Sequence, residues 1–367
     1  MFRRTLLSGV CLSVVFAALP LRADDDRDHE DDRAVYTMTN AAAGNSVMIY
    51  RRGFAGSLAP TGVVATGGKG TGAGLGSQGS LVLTQSSRWL LAVNAGSDDL
   101  SIFRVTDSGL KLASRTPSGG HMPISVTVSG RVVYVLNAGT PNNISGFTLG
   151  NDGSLTPIPN STRTLSTPSA GPAQVQFSPD GDELVVTEKA TNLIDVFPVG
   201  SDGVSGTRVS SPSVGMTPFG FAFGKRSRLF VSEAFGGAPS ASAISSYNLT
   251  GSDTLQVISG SIPSHETAAC WLVIDSSGRF GYATNTGSQT VSFFHIAKDG
   301  SITLDPRLGA TPAGSPIDAE ISGDGRFLSV LTSNAATIVT FRIRPDGSLV
   351  SVDTVTAPPT GVGLAAQ

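Results

Sequence analysis

Residues 172–197, PAQVQFSPDGDELVVTEKATNLIDVF, and residues 316–341, PIDAEISGDGRFLSVLTSNAATIVTF, follow one pattern. An apolar strand leads into a Ser-x-Asp-Gly turn, a second strand ends in a polar residue, and a third strand ends in Phe. Working outward from these two copies, the polar ends of the second strands fall at Asn40, Asn94, Asn137, Glu188, Glu233, Asn285 and Thr332. The spacing is 43 to 54 residues, the repeat length of a propeller blade. The segments 90–94 (LLAVN), 132–137 (VVYVLN), 184–188 (LVVTE), 229–233 (LFVSE) and 327–332 (FLSVLT) are short and rich in β-branched and aromatic residues. Residues of this kind fit a pleated, packed surface. The connectors SPDG (178–181), SSG (276–278) and SGDG (322–325) provide Asp for turn hydrogen bonds and Gly for positive φ. A further connector, NDGSL, KDGSI or PDGSL at Asn151, Lys298 and Pro345, separates the third strand from a fourth. No helical stripe of useful length interrupts this pattern, which predicts an all-β chain.

Composition agrees. Of 367 residues 44 are Gly, while 40% are apolar, so the glycines serve tight turns inside a packed structure. Only 14% are charged and the pI is near 5.8, which argues against nucleic-acid binding. At the N-terminus, Arg3 and Arg4 precede the apolar run 6–21 and Ala23 closes it, the pattern of an export signal spanning 1–23. Cleavage there takes the formal charge from −3 to −6 and leaves one cysteine, Cys270, so no internal disulfide is available. Residues 24–33, DDDRDHEDDR, read as a solvated acidic leader.

The ends of the remaining chain, 34–367, complement each other. Residues 34–40 (AVYTMTN) align with second strands, so blade one lacks its innermost strand. Residues 360–367 (TGVGLAAQ) align with first strands. The expectation is a seven-bladed β-propeller of four-stranded antiparallel blades, closed by the C-terminal strand joining blade one. Such closure removes exposed sheet edges.

The SPDG turn, the strand end of the form V-x-N/E and the DGSL connector together resemble the lactonase-type seven-bladed propellers. That family includes 6-phosphogluconolactonases and fungal carboxymuconate-cyclising enzymes. The resemblance implies a secreted or periplasmic member acting on a small lactone or related organic acid, by hydrolysis or cycloisomerisation. It implies no cofactor, and a monomer. Two other readings stay open: a non-catalytic ligand- or protein-binding propeller, and a rigid structural module. Many relatives read Gly-Pro-Arg-His before an inner strand, whereas this chain reads Gly171-Pro172-Ala173-Gln174, and Ser315-Pro316-Ile317-Asp318 in blade seven. Losing those basic groups argues against a phosphorylated substrate.

In a four-stranded blade, second-strand ends and the segments before inner strands share one face. The candidate catalytic residues are accordingly Glu188 and Glu233, carboxylates in adjacent blades at positions held elsewhere mostly by Asn. Facing one channel mouth, they would raise each other's proton affinity and serve as acid and base. Their alternative is a turn role, with Lys189 neutralising Glu188. Candidate substrate-binding residues are His121, Gln174, Lys189, His265, Trp271, Asn285 and Asp318. Cys270 on its apolar strand reads as a buried hydrophobe. Few His and one mature Cys argue against a transition-metal site. The segment 67–76, GGKGTGAGLG, reads as a flexible connector because it lacks the Lys-Ser/Thr ending of a phosphate loop. The expanded loop 234–243 reads as a lid over the same face.

Overall fold

The computed structural model describes residues 33–307 and 309–367. The expected export signal and most of the expected acidic leader lie outside the described residues. Among the described residues, the strands form seven antiparallel sheets. In blade four the order from the axis outward is Pro172–Phe177, Glu183–Glu188, Leu193–Pro198 and Val209–Pro212. Blade three adds a short fifth strand, Arg163–Thr164, beside its third. The seven-bladed expectation is met.

Closure is met too. Val362–Ala366 is the inner strand of blade one and pairs with Ala34–Met38, placing Val35 opposite Ala366 and Thr37 opposite Leu364. The Gln367 N–H donates to the Ala34 carbonyl at 2.9 Å, and Thr360 Oγ1 donates to the Thr39 carbonyl at 2.7 Å. Val362, Leu364 and Ala365 are buried. The tail is therefore a core strand.

Burial follows each strand's place in the blade. Second strands are covered by a neighbouring blade on both faces, so Trp89–Asn94 and Phe327–Thr332 are buried throughout. Outer strands are wetted on one side, and Gly109–Pro117 and Leu58–Ala65 are largely exposed, alternating with half-buried positions in their second halves. Each fully buried Leu, Val or Phe of the second strands contributes about 1.5–3 kcal/mol. The Asp-Gly connectors then lock blade to blade. Gly203 and Gly347, at φ +80° and +82°, lie over side chains of the preceding blade. Their carbonyls accept from the buried Tyr134 and Tyr282 hydroxyls at 2.8 and 2.6 Å. A Cβ at Gly347 would lie 2.5 Å from the Phe293 ring, so the connector glycine is required by both its φ and its contact.

Candidate functional site

The inner strands surround an axial cavity of about 510 Å³. Its upper boundary is a layer of three polar residues, Gln78, Gln174 and Asp318, set by the segments that enter the inner strands of blades two, four and seven. At the other end it is bounded by turns between first and second strands, at Gln85, Ser87, Ser276, Gly323 and Gly325. The cavity thus runs toward the face opposite the second-strand ends.

The glycine-rich link explains this polarity. Asn40 Nδ2 donates to the Ala73 carbonyl at 2.6 Å, and Leu75 is buried. Lys189 of blade four donates to the Gly76 carbonyl at 2.6 Å, and the Trp271 indole N–H of blade six donates to the Ser77 carbonyl at 3.0 Å. Gln78 then exchanges two hydrogen bonds with Leu272, donating to its carbonyl at 3.0 Å and accepting from its N–H at 3.1 Å. The link crosses from blade one to blades four and six and closes the channel on the second-strand-end face. A Cβ at Gly220 would sit 2.2 Å from Gln78 Oε1, so the clasp also depends on that glycine. The flexible-connector reading is corrected: the segment is held by hydrogen bonds to Asn40 and Lys189, and Ser77 and Gln78 just after it tie it to blade six.

The two glutamates do not meet in a common mouth. Glu188 is fully buried and accepts from the Ser166 N–H at 2.9 Å and from the Ser166 and Thr191 hydroxyls. It lies against Asp195, whose carboxyl burial and this neighbour push well above the usual carboxylate range. Glu233 is fully buried as well, accepting from the Gly215 N–H at 2.8 Å, Ser245 Oγ at 2.5 Å and Ser261 Oγ at 2.7 Å. Neither lines the cavity. Asn285 repeats that role with two donated bonds, to Thr290 and Ser292 of its own blade, and is also fully buried. The physical reason is common to all three: a polar strand end sandwiched between blades must satisfy turn and third-strand groups before it can reach a ligand.

The other candidates divide by height. Lys189 does not pair with Glu188; its ammonium stands 4.6 Å from the Phe219 ring centroid. Burial lowers that amine to about 8. Trp271 packs on Phe219 at 5.3 Å between centroids and is buried. His121 is exposed and bonded to Asp98 at 2.7 Å, and His265 is exposed on the same face. Lys189, Trp271, His121, His265 and Asn285 all lie outside the cavity lining. Cys270 is buried, its thiol pushed up to about 11 by desolvation, which is the chemistry of an inert thiol.

Two of the sequence candidates, Gln174 and Asp318, do line the cavity. Gln174 clamps blade five by accepting from the Phe221 N–H at 2.7 Å and donating to the Phe221 carbonyl at 3.0 Å. It also donates to Gln176 Oε1 at 3.3 Å, which orients that amide. Asp318 is buried, caps the Ala319 N–H at 2.8 Å, and is pushed well above the usual range by desolvation and by Glu320. Glu320, two residues along the same strand, is the residue sequence reading missed. It lines the cavity and is only partly exposed, and burial among the inner strands raises it to about 8. Its signal was a second acid at strand period two on an inner strand.

The inner strands of blades two and three, which help to enclose this cavity, belong to the stretch recognisable by sequence family. Residues 28–166 match the family model Lactonase, 7-bladed beta-propeller. Over those residues the lactonase-type resemblance read from the turn motifs holds. No match is found among the curated proteins. The periplasmic gluconolactonase of Pseudomonas aeruginosa superposes with a TM-score of 0.75 at 19% identity, over 91% of this chain and 98% of that one. A Bacteroides fragilis protein provisionally named a 6-phosphogluconolactonase gives 0.74 at 17% identity, over 93% and 100%. A protein of Lactobacillus plantarum gives 0.75 at 18%, over 92% and 99%. These three likenesses establish the lactonase-type propeller fold. Among the described residues no helix is long and apolar enough to cross a membrane.

Proposed function

We propose that this protein is an exported lactonase-like propeller that hydrolyses a small lactone inside the axial cavity. The observation that carries the reading is the pair Asp318 and Glu320 on the inner strand of blade seven, both lining a cavity of about 510 Å³. Cavities of this size suit small molecules. A carboxyl near 8 is matched to proton transfer around neutral pH. In the ionised form Glu320 takes a proton from water as the oxygen attacks the lactone carbonyl carbon. The Gln176 amide, whose Oε1 accepts from Gln174, is on the lining and is assigned to donate to the oxygen on which charge develops. When the ring C–O bond breaks, protonated Glu320 returns the proton to the departing alkoxide. Glu188 and Glu233 are assigned to the scaffold, and export rests on the signal pattern in residues 1–23. The neighbouring gluconolactonase, periplasmic by its description, supports both the chemistry and the compartment. The test is proton release from a panel of small lactones by the mature protein and by Glu320→Gln. Turnover by the unsubstituted protein no faster than in buffer would end the reading.

A further inference from the structure

We propose that the cavity is a one-ended well, filled from the first-to-second-strand turn face, that takes an uncharged hydroxyl-rich ring and discriminates against phosphorylated or carboxylated ones. This deepens the hydrolase reading and rests on the same cavity being the site. The closed end is built from interactions already described: the Gln78–Leu272 exchange, the Trp271 bond to Ser77, and Lys189 held over Phe219 and bonded to Gly76. At the other end the lining is short turn residues, of which Gln85 and Ser276 are exposed. A ligand therefore meets exposed turns from one side and the hydrogen-bonded link from the other.

The chemistry of the lining selects the ligand. Among the described residues, no Arg, Lys or His lines the cavity. Its polar groups are amides such as Gln78 and Gln176, hydroxyls such as Thr127 and Ser322, and the two carboxyls. Sugar-like hydroxyls exchange hydrogen bonds with all of these. A phosphate or carboxylate would lose its water and gain no cation, a cost that buried ions avoid only by pairing. It would also face Asp318 and Glu320. The basic residues Lys225 and Arg226 lie on the turn face but outside the lining. They bear on approach to the well, and the phosphorylated probe below reports on them directly.

The measurement is calorimetric titration of the intact mature protein with D-glucono-1,5-lactam, an uncharged ring that resists hydrolysis, and with its 6-phosphate. The lactam should bind, with the 6-phosphate at least tenfold weaker. Ser276→Trp, and independently Gln85→Trp, should weaken lactam binding at least tenfold with unchanged Tm. Gly74→Trp, on the outer side of the link where a Cβ meets nothing within 4 Å, should leave it unchanged. Equal or tighter binding of the 6-phosphate, loss of binding in Gly74→Trp alone, or no lactam binding at all would overturn the proposal. Lactone turnover measured in parallel separates the two readings. Lactam binding without turnover removes the hydrolase and leaves the well, whereas turnover with a preference for the phosphate removes the well and leaves the hydrolase.

Discussion

Gln78 and Leu272, 194 positions apart in the chain, hold each other by two hydrogen bonds across the axis of the propeller. The side chain comes from the link into blade two and the backbone from the inner strand of blade six. Together with the Lys189 and Trp271 contacts, this amide ties the link across the second-strand-end side of the cavity.

Replacing Gln78 with Ala leaves the Leu272 N–H and carbonyl without their partner. An unsatisfied buried group of this kind costs about 1–3 kcal/mol. A fall in Tm is expected together with faster hydrogen exchange at the Leu272 amide. Unchanged exchange there would show that the clasp is dispensable.

Glu320→Gln should reduce lactone turnover by about 10²–10⁴, the usual worth of a positioned acid or base. With the ionised form as base, turnover in the unsubstituted protein should rise with pH through about 8 and then level. Stability should run the other way. The folded carboxyl titrates above its usual 4.5, so its protonated form supports the fold fully below that value, and the support is lost as pH rises through about 8. The melting temperature should fall across that range, and Glu320→Gln should lessen the fall, leaving the part due to Asp318 and Asp195.

Glu188 and Glu233 should behave as scaffold. Glu233→Ala strands the Gly215 N–H and the hydroxyls of Ser245 and Ser261. A loss of about 1–3 kcal/mol per unsatisfied group is expected. Turnover per folded molecule, measured well below the lowered Tm, should be retained. A collapse of turnover with an unchanged Tm would return catalysis to this residue.

Deleting residues 360–367 removes the inner strand of blade one. The loss of Val362 and Leu364 burial alone costs about 1.5–3 kcal/mol per side chain, and Ala34–Met38 becomes an exposed edge. Light scattering should register aggregation on mild heating. A truncated protein that stays monodisperse and melts like the parent would contradict the closure energetics.

Much of the architecture was legible because it is local. The Asp-Gly turns, the β-branched strands and the unpaired first strand each state a backbone requirement within a few residues, and repetition reinforces them. The same locality made Asn285 and the glutamates misleading. A polar strand end looks equally ready for a turn or for a ligand, and only the neighbouring blade, which buries it, excludes the second use. Asp318 was found by its place at an inner-strand entry, while Glu320 lay one step deeper than that reasoning reached.

The chain by itself determined seven repeats, their strand order and the completion of the first blade by the last strand, since each is encoded in turn chemistry and strand pattern. Tertiary structure alone decided which end of the axis is open. A glycine-rich link carries no periodic signal, and its contacts to Lys189, Trp271 and Leu272 come from blades remote in sequence. Desolvation likewise separates Glu320, with Asp318 and Asp195, from the exposed acids, because the raised affinity for a proton arises first from protein packed around each carboxyl.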